Sequence, residues 1–255
     1  MKIISYNVRG LGGVAKKKDV SQLIKKINPD VMCVQETKLQ KLERSQCEVM
    51  WGSNDFGFSS KESEGRSGGM LMIWNSRKFK MQSESRGDHY LCVQGLWGQE
   101  EIPIAIVNVY APCEAAKKRV LWEKLSDLLA TRPGFRWCVL GDFNSIRMEV
   151  ERKGVGDFMR REEMIEFDSF ITDSELVDLP LIGRKFTWSR IDGSSMSRID
   201  RFLLSEEWCM QWPNSSQWCL EKGLSDHCPI LLQDEVKNWG PRPFRMLNCW
   251  SEMEG

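Results

Sequence analysis

The sequence predicts a layered α/β fold, and two observations support this prediction. Short runs rich in isoleucine and valine recur along the chain. Several of them are apolar on both alternating faces, as expected for strands that are covered on both sides. Helical patterns lie between these runs, and the segments 30–36 and 136–143 each follow a predicted helix. This alternation is typical of a sheet protein with helical outer layers.

The individual elements follow from local patterns. Apolar residues at helical spacing predict helices at 17–27, 115–130 and 161–171, and Asn28-Pro29 ends the first of them. The glycine- and serine-rich segment 52–69 is predicted to be a loop. The predicted strands are 2–8, 30–36, 68–74, 90–97, 102–110, 136–143, 184–190, 198–204 and 228–232.

Composition narrows the possible classes of protein. The 255 residues suffice for one large or two small domains. Lysine plus arginine equals aspartate plus glutamate at 36 each, so the chain lacks the basic excess of a non-specific nucleic-acid coat. Nine irregularly spaced cysteines contain no C-x-x-C pair, which argues against a zinc knuckle or thioredoxin motif. No secretory signal or membrane-length apolar run occurs, so we expect an intracellular protein with reduced thiols.

Polar residues stand where the predicted strands begin or end. Each has an ordinary explanation by itself, such as a turn asparagine or a solvated glutamate. Strand ends gather along one edge in layered α/β folds, so the recurrence of this pattern favours a common site. The residues concerned are Asn7, Glu36, Tyr110, Asp142, Asn144, Asp200, Asp226 and His227.

The chemistry of this set is that of phosphate-ester hydrolysis. Its four carboxylates are hard oxygen ligands, which suit Mg²⁺ or Mn²⁺ better than zinc. The two asparagines and the tyrosine can hold a phosphate oxygen, and a carboxylate can orient the ring of His227. No serine or cysteine lies in a recognisable nucleophile motif. Metal-assisted attack by water therefore fits these residues.

The ordered motifs of the chain resemble those of the endonuclease/exonuclease/phosphatase superfamily. They are SYNVRGL, PDVMCVQETKL, NVYAP, LGDFN, SRIDRFLLS and LSDHCPI. The resemblance covers 1–232 and implies a DNase I-like fold, a four-layer α/β sandwich of two packed mixed sheets flanked by helices. It also implies a metal-dependent phosphodiester hydrolase.

A narrower resemblance points to the endonuclease domain of plant LINE-type (non-LTR) retrotransposon polyproteins. NVRGLGG, SGGMLMIW, GRKFTWSR and GPRPFRMLNCW carry it. It implies a DNA-nicking endonuclease whose product carries a 3′-hydroxyl. Residues 233–255, with two prolines and no periodicity, are then expected to be a linker truncated before a reverse transcriptase.

The resemblance also implies roles for the metal- and water-binding residues. Glu36 is expected to bind the divalent cation, Mg²⁺ or Mn²⁺, with help from Asn7 and Asp226. Asp142 is expected to orient or deprotonate the attacking water. Asn144 beside it is expected to hold the phosphate.

The remaining site residues are expected to act on the phosphate side. Tyr110 would donate to a phosphate oxygen, and Asp200 would fix the tautomer of His227, whose free nitrogen faces the scissile phosphate. Thr187 occupies a position that the family uses near the phosphate. Ser225 precedes the aspartate as in the retrotransposon branch.

Basic and aromatic residues near the strand ends are candidate DNA contacts, because cationic side chains there can pair with backbone phosphates. They are Arg9, Lys16–Lys18, Arg147, and Trp188 with Arg190. For Trp188, core packing is the competing interpretation. We expect DNA as the partner, a monomer, no membrane association, and a nuclear location inferred from the substrate alone.

Two other interpretations remain open at this point. A phosphatase or an RNA nuclease of the same superfamily would use the same site residues on a different substrate. An inactive retroelement relic would act at most as a binding module.

Overall fold

A computed structural model describes residues 1–65, 67–131, 134–154 and 161–235. The strands in this part of the chain are β1 (Lys2–Asn7), β2 (Val31–Gln35), β3 (Phe56–Glu64), β4 (Ser67–Asn75), β5 (Phe79–Arg86), β6 (Tyr90–Trp97), β7 (Ile102–Tyr110), β8 (Arg136–Asp142), β9 (Arg152–Gly154), β10 (Leu176–Asp178), β11 (Leu181–Ile182), β12 (Trp188–Ser189), β13 (Ser195–Ser197), β14 (Asp200–Ser205), β15 (Ser215–Cys219) and β16 (Ile230–Asp234). The helices are α1 (Val14–Ile27), α2 (Arg44–Trp51), α3 (Ala115–Ala130), α4 (Arg161–Asp173) and α5 (Glu206–Gln211), and Glu149–Glu151 forms a 3-10 turn.

Two large mixed sheets form the centre of the fold. The first has the strand order β11-β15-β16-β1-β2-β4-β3, and the second has the order β10-β14-β8-β7-β6-β5. Each contains a parallel pair, β1 with β2 in the first and β7 with β8 in the second. A third, small sheet has the order β12-β13-β9.

Apolar side chains pack in three layers, which define the order of the sheets and helices. Alternate residues of β1 show this: Ile3 belongs to the layer between the two sheets, and Ile4 packs with α1 and α2 on the other side. The second sheet packs its outer face against α3 and α4 through residues such as Leu125 and Phe167. The fold is therefore a four-layer sandwich, as predicted.

The central strands and three helices agree with the sequence patterns. Eight of the nine predicted strands coincide with β1, β2, β4, β6, β7, β8, β14 and β16. The ninth, at 184–190, is mostly irregular, and only Trp188–Ser189 form β12. The predicted helices at 17–27, 115–130 and 161–171 match α1, α3 and α4.

The prediction of a loop at 52–69 is wrong. Phe56–Glu64 forms β3, which pairs with β4 as an antiparallel hairpin at the edge of the first sheet. An edge strand tolerates polar residues because only part of its surface is covered, so its serines and glycines resemble those of a loop. The edge strand β5, also polar, was missed for the same reason.

The predicted linker 233–255 begins within the last strand. Gln233 and Asp234 belong to β16, where Gln233 pairs with β1 and β15 and Asp234 pairs with β15, so the sheet extends two residues beyond the predicted boundary. Residues 236–255 lie outside the described part of the chain. Among the described residues, no helix has the length and apolarity that crossing a membrane requires.

A buried ion network fixes the segment after β8. Arg201 is fully buried, with Nη1 3.0 Å from Glu151 Oε1 and 2.7 Å from Asp178 Oδ2. Arg198 donates to the other oxygen of Asp178 at 2.7 Å. The backbone N–H of Arg147 donates to Glu151 Oε2 at 2.6 Å. Because these groups have lost water, each depends on its partner.

We expect Glu151→Ala to destabilise the protein by about 3–5 kcal/mol, because it leaves the buried Arg201 charge without its closest carboxylate. Chemical denaturation measures this loss. The exposed pair Lys26–Glu221 provides the control, since Lys26→Ala should cost at most about 1 kcal/mol. Equal midpoints for the two variants would contradict this account of the network.

Candidate active site

The strand register brings site residues from separate strands side by side. In the second sheet, Tyr110 at the end of β7 lies opposite Asp142 at the end of β8, and Asp142 lies opposite Asp200 at the start of β14. In the first sheet, Asn7 at the end of β1 lies opposite Gln35, directly before Glu36. The site residues of the two sheets therefore lie at the same edge of the sandwich.

A cavity of about 320 Å³ lies between these residues. Six of the eight strand-end residues identified in the sequence line it. Of the other two, Asp226 bonds to the lining residues Arg9 and Trp188, and Asp200 bonds to the lining residue His227. The cavity is lined by Asn7, Arg9, Glu36, Tyr110, Cys113, Asp142, Asn144, Arg152, Trp188, Ser197, Ile199 and His227.

His227 is buried between two carboxylates. Its Nδ1 lies 3.0 Å from Asp200 Oδ2, and its Nε2 lies 3.8 Å from Asp142 Oδ2. Burial favours the neutral ring, but Asp200 and Asp142 outweigh this effect and raise the pKa of His227 to about 9. The ring is therefore an imidazolium at neutral pH, oriented by Asp200.

Asp142 is the most enclosed carboxylate of the cavity. It accepts hydrogen bonds from Asn7 Nδ2 and from the backbone N–H of Asn144, both at 2.9 Å. Burial, together with the charge of Asp200, raises the pKa of Asp142 to about 6. A carboxylate with this pKa can take up a proton near neutral pH, which suits a general base.

Glu36 lies beside two cationic side chains. Its side chain is 9% exposed, and its oxygens lie 2.9 Å from Lys38 Nζ and 3.9 Å from Arg9 Nε. Arg9 also donates to Asp226 Oδ2 at 2.5 Å, and the indole N–H of Trp188 donates to the same oxygen at 2.9 Å. Glu36 and Asp226 thus share a cationic partner.

Tyr110 and Asn144 complete the polar lining. Burial and the charges of Glu36 and Asp142 raise the pKa of Tyr110, so its hydroxyl stays protonated and able to donate. Asn144 has a left-handed backbone with φ 46°, and its amide donates to the carbonyl of Ala111 at 2.7 Å. Its amide oxygen is left to meet a ligand.

Thr187 and Ser225 are buried and do not line the cavity. The Thr187 side chain is fully buried, and its hydroxyl accepts from the backbone N–H groups of Ile199 and Asp200, each at 3.1 Å. The Ser225 hydroxyl donates to the Asn7 carbonyl at 2.8 Å. Both hydroxyls therefore hold the backbone next to the site, and the expectation that these two residues bind substrate stays a prediction.

Two other predicted DNA contacts are engaged elsewhere. Arg147 does not line the cavity, and its Nε lies 2.6 Å from Asp168 Oδ1. Lys16 donates to the backbone carbonyls of Val8 and Leu224, at 2.6 and 2.8 Å, and so fastens two loops together. Arg9 and Trp188, in contrast, do line the cavity.

Sequence reasoning missed four residues that line the cavity: Cys113, Arg152, Ser197 and Ile199. Arg152 and Ser197 belong to the small sheet, whose three strands have at most three residues each. Strands this short give no readable alternation. The basic pair Arg152-Lys153 before a glycine was the one available signal.

The donor set fits a hard divalent cation. Ligand atoms of Asp142, Asp200 and His227 lie within 4.8 Å of one another. This cluster can hold a metal ion only when the His227 ring is neutral, because an imidazolium has no free lone pair. Glu36 adds a nearly buried carboxylate to the same cavity. Oxygen donors predominate and no thiol ligand is needed, which favours magnesium or manganese chemistry over zinc.

The fold is that of solved nucleases. The 3′-5′ exonuclease of Neisseria meningitidis superimposes with a TM-score of 0.74 over 92% of this chain and all of that one, at 18% sequence identity. The exodeoxyribonuclease of Bacillus subtilis is 27% identical over 91% of this chain and 98% of its own length. The DNA-(apurinic or apyrimidinic site) endonuclease of Dictyostelium discoideum is 26% identical over 90% of this chain and 69% of its own length.

The chain belongs to the endonuclease/exonuclease/phosphatase family, whose sequence model matches residues 4–227. This confirms the broader of the two resemblances found in the sequence. The matched span ends on His227 and includes every polar strand-end residue of the cavity.

The raised pKa of His227 can be measured directly, because the chain has two histidines. In a His89→Asn variant without metal, the remaining imidazole NMR signals should titrate near pH 9. Adding Asp200→Asn should lower this midpoint by about 1–3 units, since the largest stabilising charge is removed.

The same shift predicts a pH dependence of stability. Because the unfolded value is about 6.5, the protonated ring contributes its full stabilisation below that pH and loses it as the pH rises through about 9. A His227 midpoint near 6.5 in the folded protein would contradict the described geometry.

Proposed function

We propose that this protein is a divalent-metal-dependent phosphodiester hydrolase that nicks DNA, and that it is the endonuclease of a LINE-type retrotransposon. The observation that carries the proposal is the convergence of Glu36, Tyr110, Asp142 and His227 on one cavity, with Asp200 bonded to His227 behind them. These side chains supply a base, a cationic hydrogen-bond donor, a neutral donor and metal ligands around one cavity.

Three further observations support DNA as the substrate and the retrotransposon context. The Bacillus and Dictyostelium relatives are named for activity on DNA. The cavity lies open at the edge of the sandwich and is lined by two arginines and a tryptophan, which suits a charged, flat-based polymer. The motifs SGGMLMIW and GRKFTWSR favour the retrotransposon branch. A nuclear site of action and a monomeric state follow as parts of the proposal.

In the proposed reaction, Glu36, Asn7 and Asp226 would hold Mg²⁺, or Mn²⁺ in its place. When bound, the cation supplies positive charge that stabilises the oxygens of the reacting phosphate. Asp142 orients the attacking water and takes its proton, because its pKa of about 6 makes it a carboxylate of moderate basicity. The water oxygen bonds to phosphorus while the bond from phosphorus to the 3′-oxygen breaks, and the 3′-oxygen leaves as a hydroxyl after taking a proton from solvent. Asn144 contributes its amide oxygen or N–H beside Asp142.

His227 and Tyr110 would act on the phosphate itself. The His227 imidazolium, oriented by Asp200, presents its Nε2–H to a non-bridging oxygen and stabilises the charge that develops there. Tyr110 donates its hydroxyl proton in a hydrogen bond to the same phosphate. Both groups are fixed before substrate arrives, so little reorganisation is needed during the reaction.

We expect purified protein to nick supercoiled plasmid in the presence of Mg²⁺, and His227→Ala and Glu36→Ala to lower the rate by roughly 10²–10³-fold each. Gel conversion of supercoiled to open-circular plasmid measures this. His89→Ala and Glu221→Ala are matched controls, because they remove the same residue types at positions outside the cavity. Equal nicking by all five proteins would exclude the proposed catalytic site.

The product and the substrate range test the narrower part of the proposal. A nick with a 3′-hydroxyl should be extended by a DNA polymerase without further processing. The alternatives predict other results: faster release of a terminal phosphate for a phosphatase, or faster cleavage of a matched RNA strand for an RNA nuclease. An inactive relic with binding function alone would bind the plasmid and leave it supercoiled.

A further inference from the structure

One wall of the cavity is made by the small sheet β12-β13-β9, which carries an arginine with no assigned role. Ser197 of β13 lies opposite both Trp188 of β12 and Arg152 of β9. Residues directly opposite in antiparallel strands project to the same face. All three residues line the cavity, so the Arg152 side chain projects toward the cavity, as the strand register also indicates.

The two arginines of the cavity differ in their partners. Arg9 contacts Asp226 at 2.5 Å and Glu36 at 3.9 Å, so its charge is balanced by two carboxylates. Arg152 is half-buried, and no carboxylate of the described residues lies within ion-pair distance of its guanidinium. A half-buried guanidinium without a counter-charge is stabilised by an incoming anion.

The backbone that carries Arg152 is held firmly in place. Its neighbour Glu151 is buried and receives hydrogen bonds from Arg201 and from the backbone N–H of Arg147. On the other side, the backbone N–H of Arg198 donates to the Glu151 carbonyl at 2.9 Å. The ion network therefore fixes the start of β9, and with it the point from which the Arg152 side chain projects.

We propose that Arg152 is a substrate-binding residue that pairs with a backbone phosphate of the nucleic acid in the cavity. The inference rests on the proposed function and deepens it by adding a contact on the wall that the small sheet forms. A guanidinium presents paired N–H donors that match two phosphate oxygens, and the residues opposite it in the small sheet, Ser197 and Trp188, are neutral.

DNA binding by a His227→Ala parent, which prevents cleavage during the measurement, provides the first test. With Mg²⁺ and a labelled duplex, Arg152→Ala should raise Kd by about 10- to 100-fold. It should also reduce the slope of log K against log salt by about 0.9, the value for one lost phosphate contact. Arg152→Lys should keep the slope and recover part of the affinity, since it keeps the charge without the paired geometry.

Lys153→Ala is the matched control. Lys153 is exposed, lies one residue further along β9, and pairs with Met196 on the face of the small sheet opposite the cavity. Removing its charge should change Kd by less than about twofold, as expected for a solvated surface group. An equal loss in Lys153→Ala would mean a diffuse charge effect and would overturn the assignment of Arg152.

Neutral methylphosphonate linkages identify the phosphate. Placed one at a time around the cleavage position, one of them should weaken binding by the parent as much as Arg152→Ala does. The same linkage should cost the Arg152→Ala variant nothing more. If no linkage position shows this pattern, the inference is overturned.

The outcomes also separate this inference from the proposed function. Unchanged binding by Arg152→Ala, in a protein that otherwise nicks plasmid, would overturn the role of Arg152 alone. A wild-type protein that neither binds nor nicks DNA would overturn the proposed function and the role of Arg152 with it. Circular dichroism of each variant confirms that the fold is kept.

Discussion

The site depends on two hydrogen bonds that join one sheet to the other. Asn7 of the first sheet donates to Asp142 of the second at 2.9 Å. His227 lies in the segment before β16 of the first sheet, and its Nδ1 lies 3.0 Å from Asp200 Oδ2 of the second. Neither sheet alone contains a working set of groups. A shift of one sheet against the other by an ångström would break both bonds, so the apolar layer between the sheets is part of the functional geometry.

Buried amides within that layer reinforce the alignment. Gln35 and Asn108 are both fully buried, and the Gln35 amide donates to Asn108 Oδ1 at 2.6 Å across the sheets. An apolar pair would fill the same space without the cost of desolvating two amides. The chain positions of the pair explain its presence, since Gln35 directly precedes Glu36 and Asn108 lies two residues before Tyr110. The bond therefore ties together the strands that carry two site residues.

Sequence patterns predicted the centre of the molecule better than its edges. Central strands are apolar on both faces, and polar residues at their ends, such as Glu36 and Asp142, stand out against that background. The edge strand β3 was mistaken for a loop because most of its residues are polar or glycine. Arg152 was missed for a different reason: whether a side chain faces the cavity depends on register with strands distant in sequence, which no local pattern records.

The buried ion network makes sense only in relation to the cavity wall. Replacing Glu151 and Arg201 by apolar residues of similar size would avoid a desolvation cost and need not weaken the fold. The network, however, does what an apolar cluster does poorly: it sets the direction of the chain at one residue, because hydrogen bonds are directional. The network thus fixes Arg152 in the cavity wall, where no carboxylate of the described residues lies within ion-pair distance of it and where it can meet an incoming anion.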